Sequence, residues 1–257
     1  MNKGSFYLVS VGVGDPDNIT IKAHKTIQQA DIVFASSTRQ ALFAELLAGK
    51  EIHDVGHGMF TPMQRRHMSE DEAAALEAST RTTIREAIAA GKTVAVLDYG
   101  DPAVYGPQSG FMNEFRDLSP VVIPGISSFN AANAVLATDI TDGLESQSVT
   151  LTIAKQAYDD YDGPDALPRL AATRATLAFF TMKTNLADVV QQLSRSYPAS
   201  TPIAIVLHAG SYQQQRLVRA TLDTILAHMG DTPLPFEHMI YVGDALRDVP
   251  VNHQEQE

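Results

Sequence analysis

The first half of the chain repeats one pattern: a short apolar run rich in β-branched residues ends in a loop, and a helical stretch follows. The first run ends in the loop "GVGDPDN", and later runs begin at Asp31, Thr93 and Val121. Apolar runs of this length are typical of parallel strands that are buried on both faces. Strands that alternate with helices imply a parallel sheet with right-handed crossovers. The first half is therefore predicted to be an α/β domain.

Helix boundaries in this half carry signals of their own. Thr20 can cap a helix, because its hydroxyl can accept a hydrogen bond from a free N–H group in the first turn. Ser69 and Glu72 form a capping box, and Gly91 stands where the helix that they open is expected to end. A helix of small residues is predicted from Ser128 to Leu136.

The second half differs, since it has five strand candidates with fewer and shorter helices between them. The candidates are the segments "VTLTI", "TLAFFT", "IAIVL", "RLVRATL" and "MIYVG". One helix is predicted from Asn185 to Ser196, with its apolar side chains on one face. The fold class is therefore predicted as two α/β domains, with a parallel sheet in the N-terminal domain and a mixed sheet in the C-terminal domain.

The composition turns polar around residues 138–147, and we place a linker or domain boundary within residues 125–148. Residues 1–124 are assigned to the N-terminal domain and residues 125–250 to the C-terminal domain. Residues 251–257 are polar and are expected to form a disordered tail.

Composition excludes several classes of function. The formal net charge of -11 disfavours a broad phosphate-binding surface, so no nucleic-acid partner is expected. The chain has no cysteine, so a disulfide framework, a thiolate nucleophile and a cysteine-ligated zinc site are impossible. No apolar run approaches the ~20 residues that span a bilayer. We expect a soluble, cytoplasmic protein with no membrane partner.

The loop after the first strand is similar to a dinucleotide-binding loop but fails as one. That motif needs a third glycine for close packing of helix and strand, and Asp17 stands in its place after Gly12 and Gly14. Asp15 adds a second negative charge where a pyrophosphate would lie, and no P-loop lysine follows. The remaining interpretations are a ligand loop of another kind and a tight turn that needs glycine for its backbone angles.

Two further loops follow strand candidates. The stretch "GDPAVYG" begins at Gly100, and "PGISS" begins at Pro124. Ligands of open α/β sheets bind at the carboxyl ends of strands, where both loops are expected. The alternatives are a βα turn with proline in the first helical turn and an ordinary helix cap at Ser128.

The three loops, in this order and spacing, resemble those of the tetrapyrrole methylase family of S-adenosylmethionine-dependent methyltransferases. The resemblance lies between Leu8 and Leu246 and rests on the stretches "VSVGVGDPDNITIKAHKTIQQADIV", "GDPAVYG", "VIPGISSFNAANAVL", "TPIAIVLHAGSYQQQRLVRATL" and "YVGDAL".

The resemblance implies two α/β domains with the cofactor in the cleft between them, and a homodimer. It implies that S-adenosylmethionine binds and leaves as S-adenosylhomocysteine, with no metal required. The implied cofactor contacts are Val13, Gly100, Asp101, Val104, Ser127, Ser128, Thr181 or Met182, Gly210 and Ala245. The chain departs from the family at Ser10, where many members have glycine, and at Val13, where many have proline.

Substrate-binding residues are predicted from chemistry. Asp15 is the carboxylate that we expect to meet the substrate, with a role as proton acceptor, and its alternative role is to cap the following helix. A corrinoid precursor carries many carboxylates, which arginines bind well, and Arg65 and Arg66 are candidates. The alternative for this arginine pair is an exposed charged turn.

Three functions compete. Within the family the chain is most similar to the precorrin-4 and cobalt-precorrin-4 methyltransferases of cobalamin biosynthesis, which methylate a ring carbon of the macrocycle. The second hypothesis keeps the cofactor and has a protein or peptide as the acceptor. The third is a methylase-like domain that binds without turnover, which the departures at Ser10 and Val13 favour and the intact loop at Gly100 opposes.

Overall fold

The structure of the chain is a computed structural model that describes residues 4–62, 68–154, 161–180, 185–230 and 232–249. Contacts within the chain divide it into two compact units, Met1–Ser127 and Ser128–Glu257. Each unit is built on one five-stranded sheet with helices. The predicted fold class, a parallel sheet followed by a mixed sheet, is confirmed.

The sheet of the first unit is parallel throughout. Its strands are β1 (Ser5–Ser10), β2 (Ile32–Phe34), β3 (Glu51–His53), β4 (Thr93–Asp98) and β5 (Val121–Ile123). They lie in the order β3-β2-β4-β1-β5, so β4 and β1 are central. Both central strands are buried along most of their length, as expected for strands that are covered on both faces.

Helices cover this sheet on both faces. They are α1 (Ile21–Gln29), α2 (Ser37–Leu42), α3 (Ala44–Leu47), α4 (Glu70–Ala89) and α5 (Gly110–Glu114). Successive side chains of a strand point to opposite faces. Val94 and Val96 accordingly pack in a cluster with Ile84 of α4, whereas Ala95 and Leu97 pack in another. That second cluster includes side chains of α1 and α3.

The predicted helix caps of the first unit are confirmed. The Thr20 hydroxyl accepts a hydrogen bond from the N–H of Ala23 at 3.1 Å and so begins α1. At α4, the Ser69 side chain accepts from the N–H of Glu72, and the Glu72 carboxylate accepts from the N–H of Ser69. Gly91 follows the end of α4 with a φ of 80°, which glycine adopts without strain.

The second unit contains a mixed sheet, and all five predicted strands are present. They are β6 (Val149–Thr152), β7 (Thr176–Phe180), β8 (Pro202–Leu207), β9 (Arg216–Thr221) and β10 (His238–Val242). Their order is β6-β7-β10-β8-β9. β6 pairs with β7 in parallel, whereas the other neighbouring pairs are antiparallel.

Helices also pack on both faces of this sheet. They are α6 (Ser128–Leu136), α7 (Leu167–Ala172), α8 (Leu186–Leu193) and α9 (Ile225–Met229). Leu177 and Phe179 of β7 pack in a cluster with α7, α8 and α9, and Ala178 packs in a cluster with α6. The bounds predicted for α6 are confirmed, whereas α8 is shorter than predicted and has Asn185 as its N-cap.

Sequence patterns missed the smallest elements. β3 has only three residues, two of which are exposed, and so shows no apolar run. The helices α2, α3, α5, α7 and α9 have between four and six residues, too short for a helical periodicity to be visible. Among the described residues, no helix is both long enough and apolar enough to cross a membrane.

Candidate active site

The carboxyl ends of β1 and β4 lie side by side at the centre of the first sheet, where Ser10 pairs with Asp98. From β1 the chain continues to β2, on the far side of β4, and from β4 it continues to β5, on the far side of β1. Neighbouring strands whose connections leave in opposite directions form a topological switch point, at which ligands of open α/β sheets bind. This edge is therefore the candidate site.

A main-chain bridge joins the two loops at this edge. The N–H of Gly100 donates to the carbonyl of Gly12 at 2.9 Å, which extends the pairing of β1 and β4 beyond their ends. Gly12 and Gly100 have φ values of 74° and 77°, a region that glycine occupies without the cost of a Cβ atom. The bridge therefore depends on glycine at both positions.

Ser10 occupies the position where many family members have glycine, and its side chain has a defined role. The hydroxyl is buried, donates to the Gly100 carbonyl and accepts from the N–H of Gly12 at 3.2 Å. A Cβ atom added at Gly125 would overlap this hydroxyl oxygen. Because Gly125 has no side chain, the Ser10 side chain fits beside it. Serine at residue 10, where many family members have glycine, therefore keeps the loops after β1 and β4 hydrogen-bonded to each other.

Asp101 joins the β4 loop to the loop after β5. One carboxylate oxygen accepts from the N–H of Ala103 at 2.8 Å, and the other accepts from the N–H of Gly125 at 3.1 Å. The Asp101 carbonyl also accepts from the N–H of Val104 at 3.0 Å. The loops after β1, β4 and β5 are consequently one hydrogen-bonded structure.

The structure brings several predicted cofactor contacts of the first unit together. A Cβ atom added at Gly100 would lie 3.6 Å from a methyl of Val13 and 3.8 Å from Cα of Ser127. Val13 and Ser127 are themselves buried. A Cβ atom at Gly100 would thus be in van der Waals contact with both residues, so Val13 and Ser127 lie close to the Gly100 backbone.

Asp15 is half-buried at the start of a 3₁₀ turn, Pro16–Asn18, and its side chain does not cap that turn. The helix that follows is capped by Thr20. The alternative role of Asp15 as the cap of this helix is therefore wrong. Its proposed contact with substrate stays a prediction.

Asp98, the last residue of β4, is a site residue that sequence reasoning missed. Its carboxyl is buried, and both oxygens lie 3.2 Å from the N–H nitrogen of Gln108. Burial raises the pKa of this carboxyl from 3.8 to about 7, although N–H donors from Gln108 and Tyr99 act against that rise. The nearby Asp101 charge raises the pKa further, whereas the Arg39 charge lowers it. The only sequence signal was an acidic residue that ends a buried run.

In the second unit, the direction of the strands separates two predicted contacts. Gly210 follows the carboxyl end of β8, and Ala245 follows the carboxyl end of β10. The two strands are antiparallel, so these residues lie at opposite edges of the sheet. Both residues stay predicted cofactor contacts. Glu237 lies at the Gly210 edge, where its carbonyl accepts from the N–H of His208 at 2.9 Å.

Four predicted residues, Thr181, Met182, Arg65 and Arg66, lie outside the described residues. The remaining prediction, Ser128, is the first residue of α6.

The clash between Gly125 and Ser10 gives a prediction. Gly125→Ala should destabilise the chain by about 1–3 kcal/mol, because the new methyl overlaps the Ser10 side chain. Adding Ser10→Gly should relieve the overlap, whereas adding Ser10→Ala should not, since a Cβ atom at residue 125 would also lie 2.6 Å from the Ser10 Cβ. Chemical denaturation of the single and double variants measures this coupling. If Ser10→Gly and Ser10→Ala changed the stability of the Gly125→Ala variant equally, the proposed overlap with the Ser10 side chain would be contradicted.

Asp98→Asn should change how stability depends on pH. The pKa of Asp98 is higher in the folded chain than its ordinary value of 3.8, so ionisation opposes folding. The wild-type chain should therefore lose stability, on the order of a few kcal/mol at most, as the pH rises from about 4 to about 7. The amide that Asp98→Asn introduces carries no charge, so the variant should not show this loss.

The measurement is thermal unfolding of wild type and Asp98→Asn between about pH 5 and about pH 8. The melting temperature of the variant minus that of wild type should increase with pH and level off above pH 7. Burial lowers the pKa of His238, which makes the chain less stable as the pH falls, but this effect is common to both proteins. A constant difference would contradict a raised pKa of Asp98.

Known proteins match this chain over most of its length. The model of the family described as Tetrapyrrole (Corrin/Porphyrin) Methylases matches residues 5–226. A precorrin-4 C(11)-methyltransferase from Mycobacterium tuberculosis is 31% identical over an alignment of 248 residues that covers 93% of this chain and 90% of that protein. A cobalt-precorrin-4 C(11)-methyltransferase from Methanocaldococcus jannaschii is 28% identical, over 95% of this chain and 89% of its own length.

A solved structure is similar to the whole described architecture. It is that of a cobalamin biosynthetic enzyme, cobalt precorrin-4 methyltransferase, with a TM-score of 0.75 and 26% identity. The similarity covers 94% of this chain and 95% of that one. Because the family model matches residues 5–226, which are most of the chain, the chain belongs to the tetrapyrrole (corrin/porphyrin) methylase family.

Proposed function

We propose that this chain transfers a methyl group from S-adenosylmethionine to a ring carbon of a precorrin-4-like tetrapyrrole in cobalamin biosynthesis. The observation that carries the proposal is the hydrogen-bonded set of glycine loops at the β1/β4 switch point, in a chain of this family. The names of its relatives, which are precorrin-4 and cobalt-precorrin-4 methyltransferases, support this choice of acceptor.

The chemistry of this edge fits the cofactor. Asp15 and Asp101 carry carboxylates on the loops. A sulfonium and an amino group are cations that such groups favour, whereas a pyrophosphate would be repelled. Glycine at residue 100 has no side chain to keep a ligand away from the main chain.

The residues that we propose to hold the cofactor come from the loops and from the family resemblance. When bound, S-adenosylmethionine supplies a methyl group that its positive sulfur has already activated. The proposed contacts are Val13, Gly100, Asp101, Val104, Ser127, Ser128, Gly210, Ala245 and one of Thr181 and Met182.

The chain's own contribution is orientation and proton transfer. Holding the acceptor carbon in line with the methyl group can supply ~7–11 kcal/mol of the barrier. The loops are suited to this because hydrogen bonds fix Gly12, Gly100 and Gly125 relative to one another. We assign to the Asp15 carboxylate the acceptance of the proton that the macrocycle loses, from a position other than the methylated carbon, when it gains the methyl group, which is worth ~10²–10⁴-fold in rate.

The proposal extends to the substrate, the assembly and the compartment. Arg65 and Arg66 are proposed to bind acetate and propionate carboxylates of the macrocycle, since guanidinium groups pair with carboxylates in a bidentate manner. The family resemblance supports a homodimer. A chain without cysteine is compatible with a reducing cytoplasm, which we propose as its location.

The proposed function is tested with the cofactor and then with the acceptor. S-adenosylmethionine and S-adenosylhomocysteine should both bind in calorimetry. Incubation with S-adenosylmethionine and cobalt-precorrin-4 should add one methyl group to the macrocycle, as measured by mass spectrometry. Failure of both ligands to bind would rule out the methyltransferase. Binding without methylation of any tetrapyrrole would rule out this acceptor.

Asp15→Asn tests the proposed proton acceptor. Turnover should fall by about 10²–10⁴-fold, while the affinity for S-adenosylhomocysteine stays close to that of wild type. Asp17→Asn is the matched control, because Asp17 is an exposed carboxylate on the same 3₁₀ turn, and it should retain turnover. Full turnover in Asp15→Asn would remove Asp15 from the reaction.

A further inference from the structure

The Asp98 side chain joins the two ends of the connection between β4 and α5 by hydrogen bonds. Asp98 stands where the connection begins, and the N–H of Gln108, ten residues later, donates to its carboxylate at 3.2 Å. In between, the chain passes so close that a Cβ atom at Gly106 would lie 2.6 Å from a carboxylate oxygen of Asp98. The proposed cofactor contacts at residues 100–104 lie inside this closed loop.

Gln108 fastens the same loop to a second one. Its side-chain amide donates to the carbonyl of Gly56 at 3.0 Å, in the connection between β3 and α4. A Cβ atom at Gly110, the first residue of α5, would overlap the carbonyl oxygen of Met59, so the β3–α4 connection also touches the start of α5. The β3–α4 connection contains the arginine pair at residues 65 and 66 that we propose for substrate.

Both side chains are buried, with exposed fractions of 1% for Asp98 and 4% for Gln108. The Gln108 carbonyl oxygen is also buried and has no hydrogen-bond partner among the described residues. A buried carboxyl and an unsatisfied amide oxygen in the same connection are each costly for folding alone. An acid group retained at such a cost points to a role in function.

We propose that Asp98 and Gln108 are a positioning pair, which holds the β4–α5 connection in the form that binds the cofactor and ties it to the connection that binds the substrate. This inference rests on the proposed function. Asp98 acts through the N–H groups of Tyr99 and Gln108, and Gln108 acts through the carbonyl of Gly56. Neither residue is assigned a contact with the reacting atoms.

Substitution of Asp98 should weaken binding of the cofactor product, whereas substitution of Gln108 should weaken binding of the tetrapyrrole. Asp98→Asn replaces one acceptor oxygen by a donor that faces N–H groups, so the affinity for S-adenosylhomocysteine should fall on the order of tenfold to a hundredfold. Gln108→Met keeps the N–H that Asp98 binds and removes only the bond to Gly56. It should raise KM for the tetrapyrrole and leave the affinity for S-adenosylhomocysteine close to that of wild type.

The affinity of wild type should also depend on pH. Two charged side chains act on the Asp98 carboxyl, Arg39 from α2 and Asp101 from the same connection. Protonation of Asp98 removes an acceptor for the loop N–H groups, so wild-type affinity for S-adenosylhomocysteine should fall as the pH drops from about 8 to about 6. The affinity of Asp98→Asn should change less over this range.

The test is calorimetry with S-adenosylhomocysteine on the full chain, together with hydrogen exchange of the unliganded chain. Asp31→Asn is the matched control, since the Asp31 carboxylate accepts from the N–H of Thr93 at 2.7 Å, at the other end of β4. Asp98→Asn should speed exchange at residues 99–108, and Asp31→Asn should not. The control should also bind S-adenosylhomocysteine as wild type does.

Three results would overturn the pairing: unchanged exchange at residues 99–108 in Asp98→Asn, unchanged affinity in that variant, or an equal loss in Asp31→Asn. Failure of wild type itself to bind S-adenosylhomocysteine would instead contradict the proposed function. Hydrogen exchange needs no ligand and would still decide whether Asp98 holds the loop.

Discussion

The hydrogen bond from Gly100 to Gly12 is the contact on which the candidate site depends. It continues the pairing of β1 and β4 past their last residues, at the point where the two connections leave in opposite directions. Ser10 and Asp101 then add bonds to Gly100, Gly12 and Gly125, so three loops share one network. A residue with a Cβ atom at Gly12 or Gly100 would strain this network at its centre.

Local signals were sufficient for much of the fold. The two central strands and the five strands of the second sheet are apolar runs, and the helices α1, α4 and α6 have caps or composition that mark their ends. The elements that the sequence did not reveal are held by tertiary contacts. β3 lies at the edge of the sheet, where it pairs with β2, and the shortest helices do not reach the length at which a helix shows its own periodicity.

Residues of the candidate site could be located from the sequence only where they belong to a loop that directly follows a predicted strand. Gly100, Asp101 and Ser127 lie where strands end, and each strand end could be read from composition. The placement of Ala245 depends instead on whether β10 runs parallel or antiparallel to β8, which distant pairing decides. Asp98 depends on burial and on Gln108, whose contact with it is a property of the folded loop.

Asp98 shows how stability and function oppose each other at this edge. Burial favours the neutral acid and raises its pKa to about 7, whereas the N–H groups of Tyr99 and Gln108 are best accepted by the ionised form. A neutral side chain there would make folding less sensitive to pH but would hold the loop less firmly. The charge of Arg39 offsets part of the cost without removing the burial. Since the same loop carries Gly100 and Asp101, which we propose as cofactor contacts, we infer that the stability lost at Asp98 is the cost of the order that Asp98 imposes on this loop.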